Sequence, residues 1–174
     1  FRDALTRPQA ERDAIARALY RAWFYPLYRF GIVHGDAHLG NYTIRPGGAI
    51  NLLDFGCVRV FPARVIAGLV GLYRAQLSGD DVAAAKAFAD WGFADATPEL
   101  VEKMRPWTTL VFAPLIEDRE RTIGEGAPSL MVDPQQIWAL KKRLREGSPM
   151  RPPRAFVFVA RAILGVGAAL VHLD

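Results

Sequence analysis

His34-Gly35-Asp36-Ala37-His38-Leu39-Gly40-Asn41, followed by Leu53-Asp54-Phe55-Gly56, decides how this 174-residue chain is read. Phosphoryl transfer needs a carboxylate close to the attacking hydroxyl or water. It also needs two oxygen ligands that hold magnesium against the phosphates. Asp36 can supply the catalytic carboxylate, and Asn41 and Asp54 the metal ligands. Tyr42-Thr43-Ile44-Arg45 and Ala49-Ile50-Asn51-Leu52-Leu53 are rich in β-formers, and Pro46-Gly47-Gly48 between them reads as a turn. The two runs are therefore expected to form a hairpin, with Asn41 where the first strand begins and Asp54 where the second ends. Paired strands place such residues roughly 5 Å apart, close enough to share one magnesium. Gly35, Gly40 and Gly56 are expected to allow unusual backbone angles and close approach beside the ligands.

His34 and His38 also invite a zinc reading, but a zinc site needs further ligands of suitable geometry. The one other histidine is His172, near the end, and the sole cysteine is Cys57. His34 is better read as a packed, hydrogen-bonded brace of the loop, with His38 turned to phosphate or solvent. Phe55 and Gly56 complete the supporting set around Asp54.

The loop from His34 to Asn41 resembles the His-x-Asp-x-His-Pro-Gly-Asn loop of the UbiB/AarF (ADCK-like) atypical kinases. The likeness runs on through Ile50-Asn51-Leu52-Leu53-Asp54-Phe55-Gly56-Cys57-Val58-Arg59. It returns more loosely at Arg151-Pro152-Pro153 and at Arg161-Ala162-Ile163-Leu164-Gly165. The resemblance implies a kinase-like fold, binding of ATP with magnesium, and a link to isoprenoid-quinone biosynthesis, ubiquinone above all. It implies that Asp36 is the catalytic-loop aspartate and that Asn41 and Asp54 hold the metal. Leu39 stands where the family usually has Pro. Aminoglycoside and choline phosphotransferases use a similar His-Gly-Asp loop and give the alternative reading, although Asp-Phe-Gly and the terminal segment fit them less well.

A kinase-like enzyme needs a β-rich lobe that covers the nucleotide and supplies a phosphate-binding lysine. Here the four lysines, Lys86, Lys103, Lys141 and Lys142, all follow Asp54, and no glycine-rich loop precedes Asp36. The expectation is a C-terminal lobe spanning residues 1–174 that acts with an N-terminal lobe outside this chain and is inactive alone. The competing class is a non-catalytic scaffold that binds lipid or protein.

Composition is consistent with one domain that has a sizeable core. Hydrophobic residues make up 51% and mean hydropathy is +0.08, which fits an exposed lobe interface or work at a membrane surface. One cysteine gives no disulfide framework. The net charge of +4 raises nucleic acid as a partner, but the arginines are scattered without a nucleic-acid motif, so none is expected. The densest basic cluster, Lys141-Lys142-Arg143-Leu144-Arg145, reads as a solvated helix end or as a contact with anionic lipid.

The fold class expected is α+β and mostly helical. A first helix should start with a Thr6/Gln9 capping box, carry Ile15, Leu19, Trp23, Leu27 and Phe30 on its core face, and kink or end at Pro26. Pro62 should open a helix bearing Val65, Ile66, Leu69 and Tyr73. Asp80, Thr97 and Asp133 are N-cap candidates, and Gly124 to Ser129 reads as a loop. Ala155 to Val171 is an apolar run interrupted by Arg161. It is short for a span, and a central Arg is expensive in a bilayer. A buried or interfacial helix is expected, with peripheral association at the cytoplasmic face of the inner membrane.

Overall fold

The computed structural model describes residues 2–116 and 151–173, together with Arg119 and Lys142. The Asp133 cap, the loop from Gly124 to Ser129 and, apart from Lys142, the basic cluster lie outside the described residues. The chain gathers into two compact units, divided at Phe61 and Pro62, where the sequence shows no boundary.

The first unit holds the motifs. A 3-10 turn, Arg2–Thr6, leads into helix α1, Gln9–Phe30. The Thr6 hydroxyl donates to the Asp3 carbonyl at 3.0 Å, so it caps nothing, and the helix starts after Pro8 without a side-chain cap. The expected capping box is therefore not formed; Pro8 sets the entry instead. Ile15, Leu19, Trp23 and Leu27 are all at most 1% exposed, a buried stripe repeating every four residues. Pro26 does not end the helix. An interior proline costs about 3 kcal/mol, whereas burying each large apolar side chain contributes about 1.5–3 kcal/mol. The four-residue stripe outweighs the proline. The end comes instead at Gly31, whose positive φ of 69° lets its N–H bond back to the Leu27 and Pro26 carbonyls. Phe30, expected in the core, is 59% exposed and packs edge-on to Tyr25.

Two antiparallel ladders follow. Strand β1, Ile32–His34, pairs with β4, Val58–Val60, in the register Ile32↔Val60, Val33↔Arg59, His34↔Val58. Nested between them in sequence, β2, Tyr42–Ile44, pairs with β3, Ile50–Leu52, in the register Tyr42↔Leu52, Thr43↔Asn51, Ile44↔Ile50. The inner ladder is the expected hairpin, and Pro46–Gly48 makes its turn. The outer ladder was not anticipated. Gly48 has φ +82°, and a Cβ there would stand 2.7 Å from the Ala14 Cβ, so the turn can seat against α1 only with glycine.

The second unit is helical. Helix α2, Ala63–Ser78, begins after Pro62 and buries Val65 and Leu69, with Ile66 and Tyr73 half-buried. Helix α3, Asp81–Trp91, is capped by Asp80, whose Oδ1 accepts from the Val82 and Ala83 N–H groups at 3.0 and 2.9 Å. Helix α4, Pro98–Ile116, is capped by Thr97 through the Leu100 N–H at 3.3 Å. Both caps fall where the sequence placed them. The core centres on Trp91, whose ring meets those of Phe93, Trp107 and Phe156 at 6.5, 5.7 and 5.3 Å. The last helix, α5, Arg154–Leu173, gives its first turn to this unit and residues from Phe158 onward to the first. It buries Val159, Ala162, Val166, Ala169, Leu170 and Leu173. By length and composition alone it could also cross a membrane.

Candidate active site

The two ladders set the site. Beyond the inner ladder the Leu53 N–H donates to the Asn41 carbonyl at 2.9 Å, so Asn41 and Leu53 remain paired and Asp54 is the next residue out. Beyond the outer ladder the Gly35 N–H donates to the Cys57 carbonyl at 3.0 Å. The loop from Gly35 to Asn41 is thereby held beside the segment from Leu53 to Cys57, which brings the two sequence motifs together.

His34 joins them. It is 6% exposed, and both ring nitrogens are engaged. Nδ1 accepts the Asp36 N–H at 3.2 Å, and Nε2 contacts the Asp54 carbonyl. A carbonyl can only accept, so the proton sits on Nε2 and the ring is the neutral Nε2–H tautomer. One side chain thus ties the backbone of Asp36 to that of Asp54. Trp23 supports it from α1: its Nε1–H donates to the His34 carbonyl at 3.0 Å, and the two rings lie 5.6 Å apart. Because His34 uses both nitrogens on backbone partners, it has none left for a metal. No group of three or more His, Cys, Asp or Glu side chains able to hold a metal occurs among the described residues.

The Asp36 carboxylate is contacted from two sides. Oδ2 accepts from Asn41 Nδ2 at 2.9 Å, and Oδ1 lies 4.0 Å from Arg161 Nη2. The same Asn41 nitrogen donates to the Asp36 carbonyl at 3.3 Å. With its nitrogen committed to Asp36, Asn41 has its amide oxygen left for another partner. Asp54 is exposed, and its Oδ1 accepts the Gly56 N–H at 2.7 Å. Asn41 Oδ1 and Asp54 Oδ2 are hard oxygens of the kind magnesium takes, with phosphate oxygens and water completing its shell. The donor set fits the ion.

His38 caps the short 3-10 turn Leu39–Asn41 by accepting the Gly40 N–H at 3.1 Å, and the Asn41 N–H donates to the His38 carbonyl at 2.9 Å. His38, Leu39 and Gly40 are exposed. Phe55 is 61% exposed, its ring 6.3 Å from that of His34. The expectation of unusual backbone angles at Gly35, Gly40 and Gly56 is corrected: none of the three has a positive φ. Close approach is their physical role. A Cβ on Gly35 would stand 2.4 Å from the Phe158 ring, and one on Gly56 would stand 3.1 Å from Asp54 Oδ1.

Sequence reasoning missed two contributors. Trp23 looked like core alone, although its indole N–H also anchors the loop. Arg161 reads in the sequence as a charge interrupting an apolar run and as the first residue of a family-like segment, and neither reading places it beside Asp36; its isolation in that run was the one available signal, since such a charge needs a polar neighbour. A cavity of about 480 Å³ lies between the loop and the last turns of α5, with Asp36, His38 and Arg161 among its lining.

Helix α1, the loop and the paired hairpin define an α+β kinase-like fold. The model of the ABC1 atypical kinase-like domain matches residues 2–88, half of the chain and the half that carries Asp36, Asn41 and Asp54. The chain belongs to this atypical kinase-like family, in agreement with its UbiB/AarF resemblance. No curated protein matches the chain.

Proposed function

We propose that this chain supplies the catalytic carboxylate and metal ligands of an ATP-dependent atypical kinase or ATPase. The observation that carries the reading is the joining of Asp36, Asn41 and Asp54 through His34 and the Asn41 amide. In this mechanism Asp36 orients the attacking hydroxyl or water and accepts its proton. Asn41 positions that carboxylate through its amide nitrogen and, with Asp54, offers oxygen to magnesium. The ion would neutralise charge on the ATP phosphates during transfer. Turnover on this reading also requires an N-terminal lobe with a phosphate-binding lysine. From the resemblance, we place the activity in isoprenoid-quinone biosynthesis, with a quinone precursor or isoprenoid lipid as partner.

The test uses protein that contains both lobes. Asp54→Asn and Asn41→Ala should reduce Mg-ATP-dependent turnover to background while leaving urea midpoints near wild type. Wild-type rates in both variants would sink the assignment. The 174-residue chain alone should turn over little or no ATP.

The same reading includes peripheral attachment at the cytoplasmic side of the inner membrane. The buried face of α5 and the central Arg161 support packing over insertion, and the net charge of +4 supports attraction to anionic lipid. Release from membranes by high salt or alkaline wash is expected. Retention until detergent is added would instead indicate insertion of α5.

A further inference from the structure

We propose that the cavity between the catalytic loop and α5 is an acceptor pocket for a small hydroxyl-bearing amphipathic anion, with Arg161 as its anion anchor. This rests on the phosphotransfer reading for the ligand's role, though not for its binding. The volume, about 480 Å³, is in the range that encloses a small molecule. The lining is largely apolar, with Leu39 from the loop and Leu164 and Ala168 from α5. Its floor is fixed by contact: a Cβ added at Gly165 would stand 2.9 Å from the Ala37 Cβ, so helix and loop already touch there.

The polar groups are unevenly placed. Arg161 is the sole Asp, Glu, Lys or Arg between Arg154 and Asp174. Its ion pair with Asp36, at 4.0 Å, is beyond hydrogen-bond reach, and its side chain is 57% exposed. The guanidinium therefore retains donors for a ligand and can grip a carboxylate or phosphate in a two-pronged manner. An anion on Asp36 itself would be repelled, so the ligand's charge belongs at Arg161 and its hydroxyl at Asp36. Two histidines add to the rim. His38 Nδ1 accepts the Gly40 N–H, and His172 Nδ1–H donates to the Ala168 carbonyl at 2.8 Å, which leaves each Nε2 for another partner. In transfer, the ligand hydroxyl oxygen would bond to the γ-phosphorus of ATP. The bond from that phosphorus to the β–γ bridging oxygen would break, ADP would leave, and the hydroxyl proton would pass to Asp36.

The test is binding to the full 174-residue chain, read by NMR of the three imidazoles. The probe is 3-hydroxyoctanoate, with 1,3-octanediol and acetate as comparators. Saturable shifts at His38 and His172 are expected, with the buried His34 unmoved. The acid should bind at least about tenfold more tightly than the diol, which a single well-placed charged contact can supply. Arg161→Gln should erase that preference without changing diol affinity, and Arg161→Lys should restore part of it. If Arg161→Gln unfolds, the acid-to-diol ratio on the unaltered chain decides alone. Equal affinity for acid and diol, or an acetate response as strong as that to the acid, overturns the proposal. Asp54→Asn should leave this binding unchanged, so failure of the pocket and failure of the phosphotransfer reading are scored separately.

Discussion

Replacing His34 with Phe removes both polar atoms that tie Asp36 to Asp54 while keeping an aromatic ring of similar size. The lost partners are the Asp36 N–H, bonded to Nδ1 at 3.2 Å, and the Asp54 carbonyl, which accepts from Nε2. A buried group left without a partner costs about 1–3 kcal/mol. Both bonds are only part-buried, and water can reach some of what is exposed, so the low end applies to each. The expected loss for His34→Phe is about 2 kcal/mol in total. His34→Gln can keep one of the two bonds and should lose about half as much. Urea unfolding followed by circular dichroism measures both. On the proposed function, His34→Phe in protein with both lobes should also lower Mg-ATP turnover by more than its stability loss explains, because the two aspartates lose their common brace. A Phe variant within about 0.5 kcal/mol of wild type, the size of an ordinary surface change, would refute the brace. So would a Gln variant as damaged as the Phe.

Asp80→Ala should destabilise the chain by about 1 kcal/mol, since it removes the acceptor for two N–H groups at the start of α3; thermal unfolding would show it. Gly68→Ala should cost about 1–3 kcal/mol by overpacking, because the new Cβ would stand 2.7 Å from the Ala87 carbonyl oxygen and 2.9 Å from the Trp91 nitrogen. An Ala variant as stable as wild type would show that α2 and α3 can separate freely. Burial pushes the Tyr42 phenol up to about 12 from 10.0. The folded state then holds a proton that the unfolded state releases, so this group's stabilisation is full below pH 10 and is lost as pH rises toward 12. Ultraviolet titration should show an ionisation step near pH 12 that shrinks in Tyr42→Phe.

The inner hairpin and the order of the chemical groups along the chain can be read from the residues alone. Both rest on local rules: β-formers flanking Pro46-Gly47-Gly48 leave few ways to pair, and Asp80 and Thr97 cap the helices that follow them because the cap bond spans two or three residues. The stripe Ile15, Leu19, Trp23, Leu27 was equally legible, being a period of one helix. What lay beyond reach depended on contacts distant in sequence. Phe30 continues that stripe in periodicity, yet it is exposed because the chain turns away at Gly31. Pro26 should have broken α1 by local preference, but burial on both sides of it held the helix together. The outer ladder joins residues 32–34 to 58–60 around an entire hairpin, and no short-range pattern announces such a pairing. The same holds for His34. Its motif position was plain, but only the folded chain sets one ring nitrogen on Asp36 and the other on Asp54, and only there does Arg161, more than a hundred residues along the chain, come to stand beside the Asp36 carboxylate.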